Sequence, residues 1–194
     1  MKRMIICLAF FLAALTATAA AMQHQQIQLS EKMVRLHVVA NSDSSEDQAL
    51  KLQVRDAVLS VTQALSGKDD IQTVLPQIKA AAEVCLRQNG SLDNVCVSLG
   101  KEHFPTRVYE NFSLPAGVYT ALRVTIGAGE GKNWWCVVFP SICFRATTED
   151  LEEAAVTAGF TRDEVALITE ENNGYVLKFK TLELLDELKS KLFP

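Results

Sequence analysis

The sequence predicts an α+β fold: a single compact domain in which a mostly antiparallel or mixed sheet packs against helices, after an N-terminal signal segment. Three observations lead there. Residues 46 to 88 carry two apolar stripes at helical spacing, while residues 92 to 144 alternate apolar and polar positions between turn signals. Hydrophobic residues make up 48% of the chain and charged residues 22%, which is enough apolar surface for a core. A length of 194 residues, with no internal repeat and no long linker, fits one mature domain.

The first residues stand apart. Met1-Lys-Arg3 is a positive start, Met4 to Leu15 is apolar, and Thr16 to Ala21 are small residues of the kind a signal peptidase accepts. Residues 1–21 therefore read as a signal peptide. Its strongly apolar part, about a dozen residues, is shorter than the roughly 20 that span a bilayer comfortably. Left uncleaved, it would be a short anchor. Cys7 lies early in this run and reads as part of it. The glutamine-rich residues 22–28 have no apolar period and read as a flexible leader, with the domain proper at 29–194.

A strand is expected over Val34 to Ala40, with Leu36, Val38 and Ala40 on one face and Arg35, His37 and Val39 on the other. His37 reads as a histidine on the more polar strand face or packed at the core edge. The polar run Asn41 to Ser45 leads into a helix from about Glu46 to Leu65, striped by Leu50, Val54, Ala57 or Val58, Val61 and Leu65. Ser44 is its cap, with Asp47 three residues later in the reciprocal position. A second helix is expected over Asp70 to Gln88. Pro76 argues either for a start near Leu75, capped by Thr73, or for a kink. Asn89-Gly90 closes it.

Strand patterns follow at Val95 to Leu99, Thr106 to Tyr109 and Val118 to Ile126. A glycine-rich turn from Gly127 leads to the apolar Trp134 to Phe139, which Pro140 ends. Adjacent tryptophans on an extended chain point to opposite sides, so one fits the core and the other needs a cover or a partner. Thr161-Arg-Asp-Glu164 has capping-box spacing. A last strand at Tyr175 to Phe179 and a helix of about three turns after Leu182 complete the expected order.

The net charge of -4, more negative once Lys2 and Arg3 leave with the signal, gives no general attraction to phosphate backbones, and no nucleic-acid partner is expected. Gly127-Ala-Gly-Glu-Gly-Lys-Asn133 lacks the phosphate-loop spacing and does not clearly open a helix. His37, Ser42 and Asp43 are close in sequence, but no nucleophile-elbow pattern surrounds the serine. A cysteine–histidine pair using His103 fails if the cysteines are oxidised. No Cys-x-x-Cys pair points to zinc. No cofactor is expected, and a binding or signalling protein is favoured over an enzyme. The alternative is a secreted cell-wall or small-substrate hydrolase.

Cys136 and Cys143, seven positions apart across Pro140, are a candidate disulfide, and Cys85–Cys96 is a second, weaker one. Each loop is short, so a bond would contribute on the order of 2–3 kcal/mol and fix local shape.

Three motifs carry a resemblance: Arg35-Leu-His-Val-Val-Ala-Asn-Ser-Asp43, Glu46-Asp-Gln-Ala-Leu-Lys-Leu-Gln-Val-Arg-Asp56 and Gly129-Glu-Gly-Lys-Asn-Trp-Trp-Cys-Val-Val-Phe-Pro-Ser-Ile-Cys-Phe144. In them, and over roughly Ile27 to Phe193, the chain closely resembles the stage II sporulation protein R family of endospore-forming bacteria. The resemblance implies a protein made in the forespore and exported towards the space between forespore and mother-cell membranes. There it would activate a membrane-embedded, aspartic-type protease that matures the precursor of sigma factor E. That protease is the implied partner, and the chain would be its activator. The family carries over no catalytic triad. Candidate contacts fall on the matching motifs: Arg35, Asn41, Ser42, Asp43, Lys51 and Arg55 around the strand–helix junction, and Trp134 and Trp135 beside the Cys136–Cys143 pair.

Overall fold

The computed structural model describes residues 2–63, 65, 67–110, 112–142 and 148–169. In chain order they form α1 (Lys2–Glu31), β1 (Val34–Val39), α2 (Ser45–Thr62), α3 (Asp70–Gln88), β2 (Val95–Phe104), β3 (Arg107–Val108), β4 (Ser113–Leu114), β5 (Gly117–Ile126), β6 (Asn133–Phe139), α4 (Thr148–Thr157) and α5 (Arg162–Thr169). The expected final strand and helix, after residue 169, lie outside the described residues.

The sheet is mixed, in the order β2-β5-β1-β6. β1 runs parallel to β5 and antiparallel to β6, and β2 pairs antiparallel with β5. All six residues of β1 are buried, which explains its near-continuous apolar sequence: it is central and covered on both faces. On the first face Val34, Leu36 and Val38 meet Leu122 and Val124 of β5, Val54 and Val58 of α2, and Ile78 and Ala82 of α3. On the second, Tyr119 and Ala121 of β5 and Val137 of β6 pack with Leu29, Met33, Leu114, Leu151 and Ile168. Two half-layers thus sandwich one sheet, and the alternation of each strand decides which side chain enters which core.

Helix starts follow the expected caps. Ser44 has extended backbone and accepts from the Asp47 amide at 3.1 Å. At α5 the capping box closes both ways: Glu164 N–H donates to Thr161 Oγ1 at 3.2 Å, and Thr161 N–H to Glu164 Oε2 at 2.7 Å. Burial alone would raise the Glu164 carboxyl, but Lys32 and Thr161 outweigh it and hold it below the usual range. Pro76 neither delays nor ends α3, which begins at Asp70. The buried stripe Ile71, Ile78, Ala82 and Leu86 holds the helix through the missing amide. Gly90, at φ 74°, closes it, and Ser91 N–H reaches back to the Leu86 carbonyl.

Two expectations need correction. Residues 22–28 are not a flexible leader but part of α1, which runs unbroken to Glu31. Glutamine is a good helix former, no Gly or Pro occurs before Gly67, and Leu29 at the end of the helix is fully buried in the second-face core. Gln26 also donates to the Ala116 carbonyl at the start of β5. By length and composition the span Ile5–Glu31 is long and apolar enough to cross a membrane, which is consistent with a signal segment. Cys85 and Cys96 are free thiols. Cys85 packs against the first-face core, whereas Cys96 is exposed and sits opposite Thr125 on the other face, so the sheet stands between them.

Leu36 lies at the middle of β1 with no exposure. Leu36→Ala is expected to lower unfolding stability by about 2–5 kcal/mol, read as a lower urea midpoint at unchanged slope.

Candidate functional site

The polar run after β1 and the glycine-rich turn between β5 and β6 are one structure. The Glu130 and Gly131 amides donate to the Asn41 and Ala40 carbonyls at 3.1 and 3.0 Å, extending the β1–β6 ladder past the strand end. Asn41 Oδ1 accepts from the Ala128 amide at 2.9 Å, and Asp43 Oδ1 from the Lys132 amide at 2.7 Å. Asn41 Nδ2 and Ser42 Oγ both donate to Asp47 Oδ2, at 3.0 and 2.6 Å. Lys51, 4% exposed, donates to Gln48 Oε1 and to the Lys132 carbonyl at 2.6 and 2.8 Å. Burial chiefly holds its ammonium below the usual lysine range; Lys132 and Arg55 act the same way, and Asp43 opposes them.

Glycine is required here by space. A Cβ on Gly131 would stand 2.2 Å from the Ser42 carbonyl oxygen, a backbone atom that cannot turn away. Gly127 and Gly129 take φ of 55° and 67°, open to glycine at little cost. The turn is therefore a clasp on the β1–α2 junction, and its Ala128, Glu130, Gly131 and Lys132 amides are committed to that junction. Asn41, Ser42 and Asp43 are primarily its structural counterpart.

A second polar cluster lies under the other face of the sheet. Arg35 is fully buried there, away from Lys51 and Arg55, because strand alternation sends it to the side opposite Leu36. Its guanidinium lies 4.2 Å from the Phe104 ring centroid and 4.9 Å from that of Tyr119, and Nη2 donates to the Tyr109 hydroxyl at 3.1 Å. Two residues on, His37 is 4% exposed. Its Nδ1 meets Glu102 Oε2 at 2.8 Å, its Nε2 meets the Asn133 side chain at 2.9 Å, and its ring stacks on Trp135 at 3.9 Å. Glu102 also contacts Arg123 at 3.5 Å. Burial pushes the Tyr119 hydroxyl well above its usual range.

The two tryptophans divide as their alternation requires. Trp135 belongs to the second-face core, against Phe104 and His37. Trp134 emerges on the α2 side, 36% exposed, with the Arg55 guanidinium 4.5 Å from its ring centroid. The sequence-derived candidates thus form three groups: the clasp with Lys51, the buried Arg35 with the half-buried Trp135, and the pair Arg55 and Trp134 on the α2 side. Glu102, Tyr109, Tyr119, Arg123 and Asn133 were not foreseen. The one available signal was the Arg35-x-His37 alternation, which places an arginine and a histidine on one face of a central strand. Cys136, opposite Leu36, is buried in the first-face core, and its expected partner Cys143 lies outside the described residues. The described residues hold no group of three or more His, Cys, Asp or Glu placed for a metal ion.

These features define a class: a mixed-sheet α+β domain carried on an apolar N-terminal helix, with its polar motifs turned mainly on one another. Comparison with known proteins narrows the class. Residues 30–149 match the family described as "Stage II sporulation protein R (spore_II_R)". The protein named "Stage II sporulation protein R" of Bacillus subtilis (strain 168) is 37% identical over 159 residues, 74% of this chain and 71% of that one. No solved structure matches. The chain belongs to the stage II sporulation protein R family.

The clasp yields two expectations. Gly131→Ala should cost about 1–3 kcal/mol from overpacking, seen as a lower melting midpoint. Asp47 is held below its ordinary 3.8, first by the Ser42 hydrogen bond and then by that from Asn41. A lowered folded-state value means stabilisation that is complete above the unfolded value and is lost as pH falls through the folded one. Melting midpoints taken below about pH 4 should therefore fall more steeply for the natural chain than for Asp47→Asn.

Proposed function

We propose that this protein is an exported intercellular signal of endospore formation, which activates a membrane-embedded aspartic-type protease and so triggers maturation of the sigma factor E precursor. Membership of the stage II sporulation protein R family carries this reading. The apolar N-terminal helix agrees with export from the forespore into the space between the forespore and mother-cell membranes. If the helix is retained, it holds the domain at the membrane. Activation of a partner requires a contact surface, and no chemistry of the chain's own.

Of the candidate groups, Trp134 with Arg55 suits such a contact best. A partly exposed tryptophan stacked under a guanidinium is the side-chain chemistry enriched at interface hot spots. Its position on β6, the outer strand among the described residues and the one that carries Cys136, would let a Cys136–Cys143 bond stiffen that strand. The clasp residues and Arg35 are committed or buried, so they would support the surface from beneath.

The decisive experiment is reconstitution of the membrane protease with the sigma factor precursor, with and without this protein. Processing is expected only when the protein is added; a competent protease left unstimulated would defeat the proposal. In the same assay Trp134→Ala should reduce activation by roughly tenfold or more, as loss of an interface anchor does, without lowering the melting midpoint. Full activation by a folded Trp134→Ala protein would remove this surface from consideration.

A further inference from the structure

Arg35 is fully buried; Nη2 donates to the Tyr109 hydroxyl, whereas among the described residues Nε and Nη1 meet no acceptor. A guanidinium taken out of water in this condition is costly. The rings of Phe104 and Tyr119 attract the cation, and the Tyr119 hydroxyl, which donates to the Pro115 carbonyl, also feels the guanidinium without satisfying Nε or Nη1. The carboxylate on the same face, Glu102, is engaged by His37 and Arg123. Among the described residues Arg35 therefore keeps two donors without acceptors, packed between aromatic rings.

We propose that Arg35 anchors a binding site for a monoanionic carboxylate with an apolar body, closed in this structure by the β3–β4 hairpin through Tyr109. A carboxylate supplies the acceptors that Nε and Nη1 lack and balances one charge. A phosphate would bring more negative charge than the single Arg35 guanidinium balances, because Arg123 is engaged by Glu102. The aromatic walls suit the apolar body of the ligand. The closing element is slight: β3 and β4 have two residues each, and a two-stranded hairpin has little stability of its own. Its hold on the site is Tyr109, stacked on Phe112, whose hydroxyl takes the Arg35 Nη2 donor at 3.1 Å and reaches the Trp135 carbonyl at 3.4 Å. Swinging Tyr109 away would free Nη2 as well and open the face. The site is independent of the protease reading.

The test uses the full chain in zwitterionic detergent, observed through the side-chain Nε–H resonances of its arginines in proton–nitrogen correlation spectra. Arg35 is assigned by its contacts with the Tyr119 ring and by loss of the peak in Arg35→Lys. Sodium benzoate is expected to shift the Arg35 resonance saturably, and benzamide, its uncharged counterpart, to leave it in place. Tyr109→Phe removes the competing hydroxyl and should tighten benzoate binding several-fold while keeping the hairpin's aromatic packing. The peptide Ala-Ala-Phe, with a free or an amidated C-terminus, distinguishes the sources of the carboxylate. A shift with the free form alone marks a peptide terminus as a ligand; a shift with benzoate but neither peptide marks a small acid. An Arg35 resonance unmoved by benzoate and by the free peptide, or moved equally by benzamide, overturns the site. Equal affinity in Tyr109→Phe and the natural chain overturns the role of Tyr109, whether or not Arg35→Lys folds.

Discussion

The clasp between the β5–β6 turn and the β1–α2 junction is the constraint on which the central strands depend. β1 has neighbours of opposite direction on its two sides, and register errors would carry Arg35 and His37 into the apolar first-face core. Backbone bonds from Glu130 and Gly131 to Asn41 and Ala40 fix β6 against β1 where both strands end near α2. Side-chain acceptors on Asn41 and Asp43 take two further amides of the same turn. The same residues start α2 through Ser42, Ser44 and Asp47, so strand pairing and helix initiation are set by one network.

With that register fixed, the second face acquires its character. Arg35, His37 and Trp135 are brought under a cover made by the end of α1, the β3–β4 hairpin and the α4–α5 pair. Histidine and glutamate satisfy one another there, while arginine is only partly satisfied. A fold selected for stability alone would place an apolar side chain at Arg35. The family reading and the buried cation are thus separate matters: one concerns what the domain does to a partner, the other what its second face can hold.

The outer surface is divided by the same geometry. Trp134 and Trp135 are adjacent in sequence and point to opposite faces of the sheet, Trp135 stacked on His37 and Trp134 beside Arg55. On β6, Trp134 lies near Cys136 and so near the expected Cys136–Cys143 staple. That placement also leaves the clasp free to work as support.

Much of this was legible from residue patterns. The periodicity of Leu50, Val54 and Val58, the Ser44 and Thr161 caps, the Asn89-Gly90 stop and the alternation in β5 are local signals, and each appears where local chemistry puts it. Sequence also determined that the two tryptophans must part. It could not determine the length of α1, because Gln26 and Leu29 acquire partners only when the domain is folded. Nor could it separate Cys85 from Cys96, or bring Glu102 and Asn133 to His37 across 65 and 96 residues. The Arg35-to-Asp43 stretch shows the division most clearly. Its sequence determined a strand, a turn and a cap through short-range sterics and hydrogen bonding. The tertiary structure alone decided that the turn would be gripped by a distant glycine loop and that Arg35 would be sealed beneath a hairpin, because both depend on strand order and register, which no local spacing encodes.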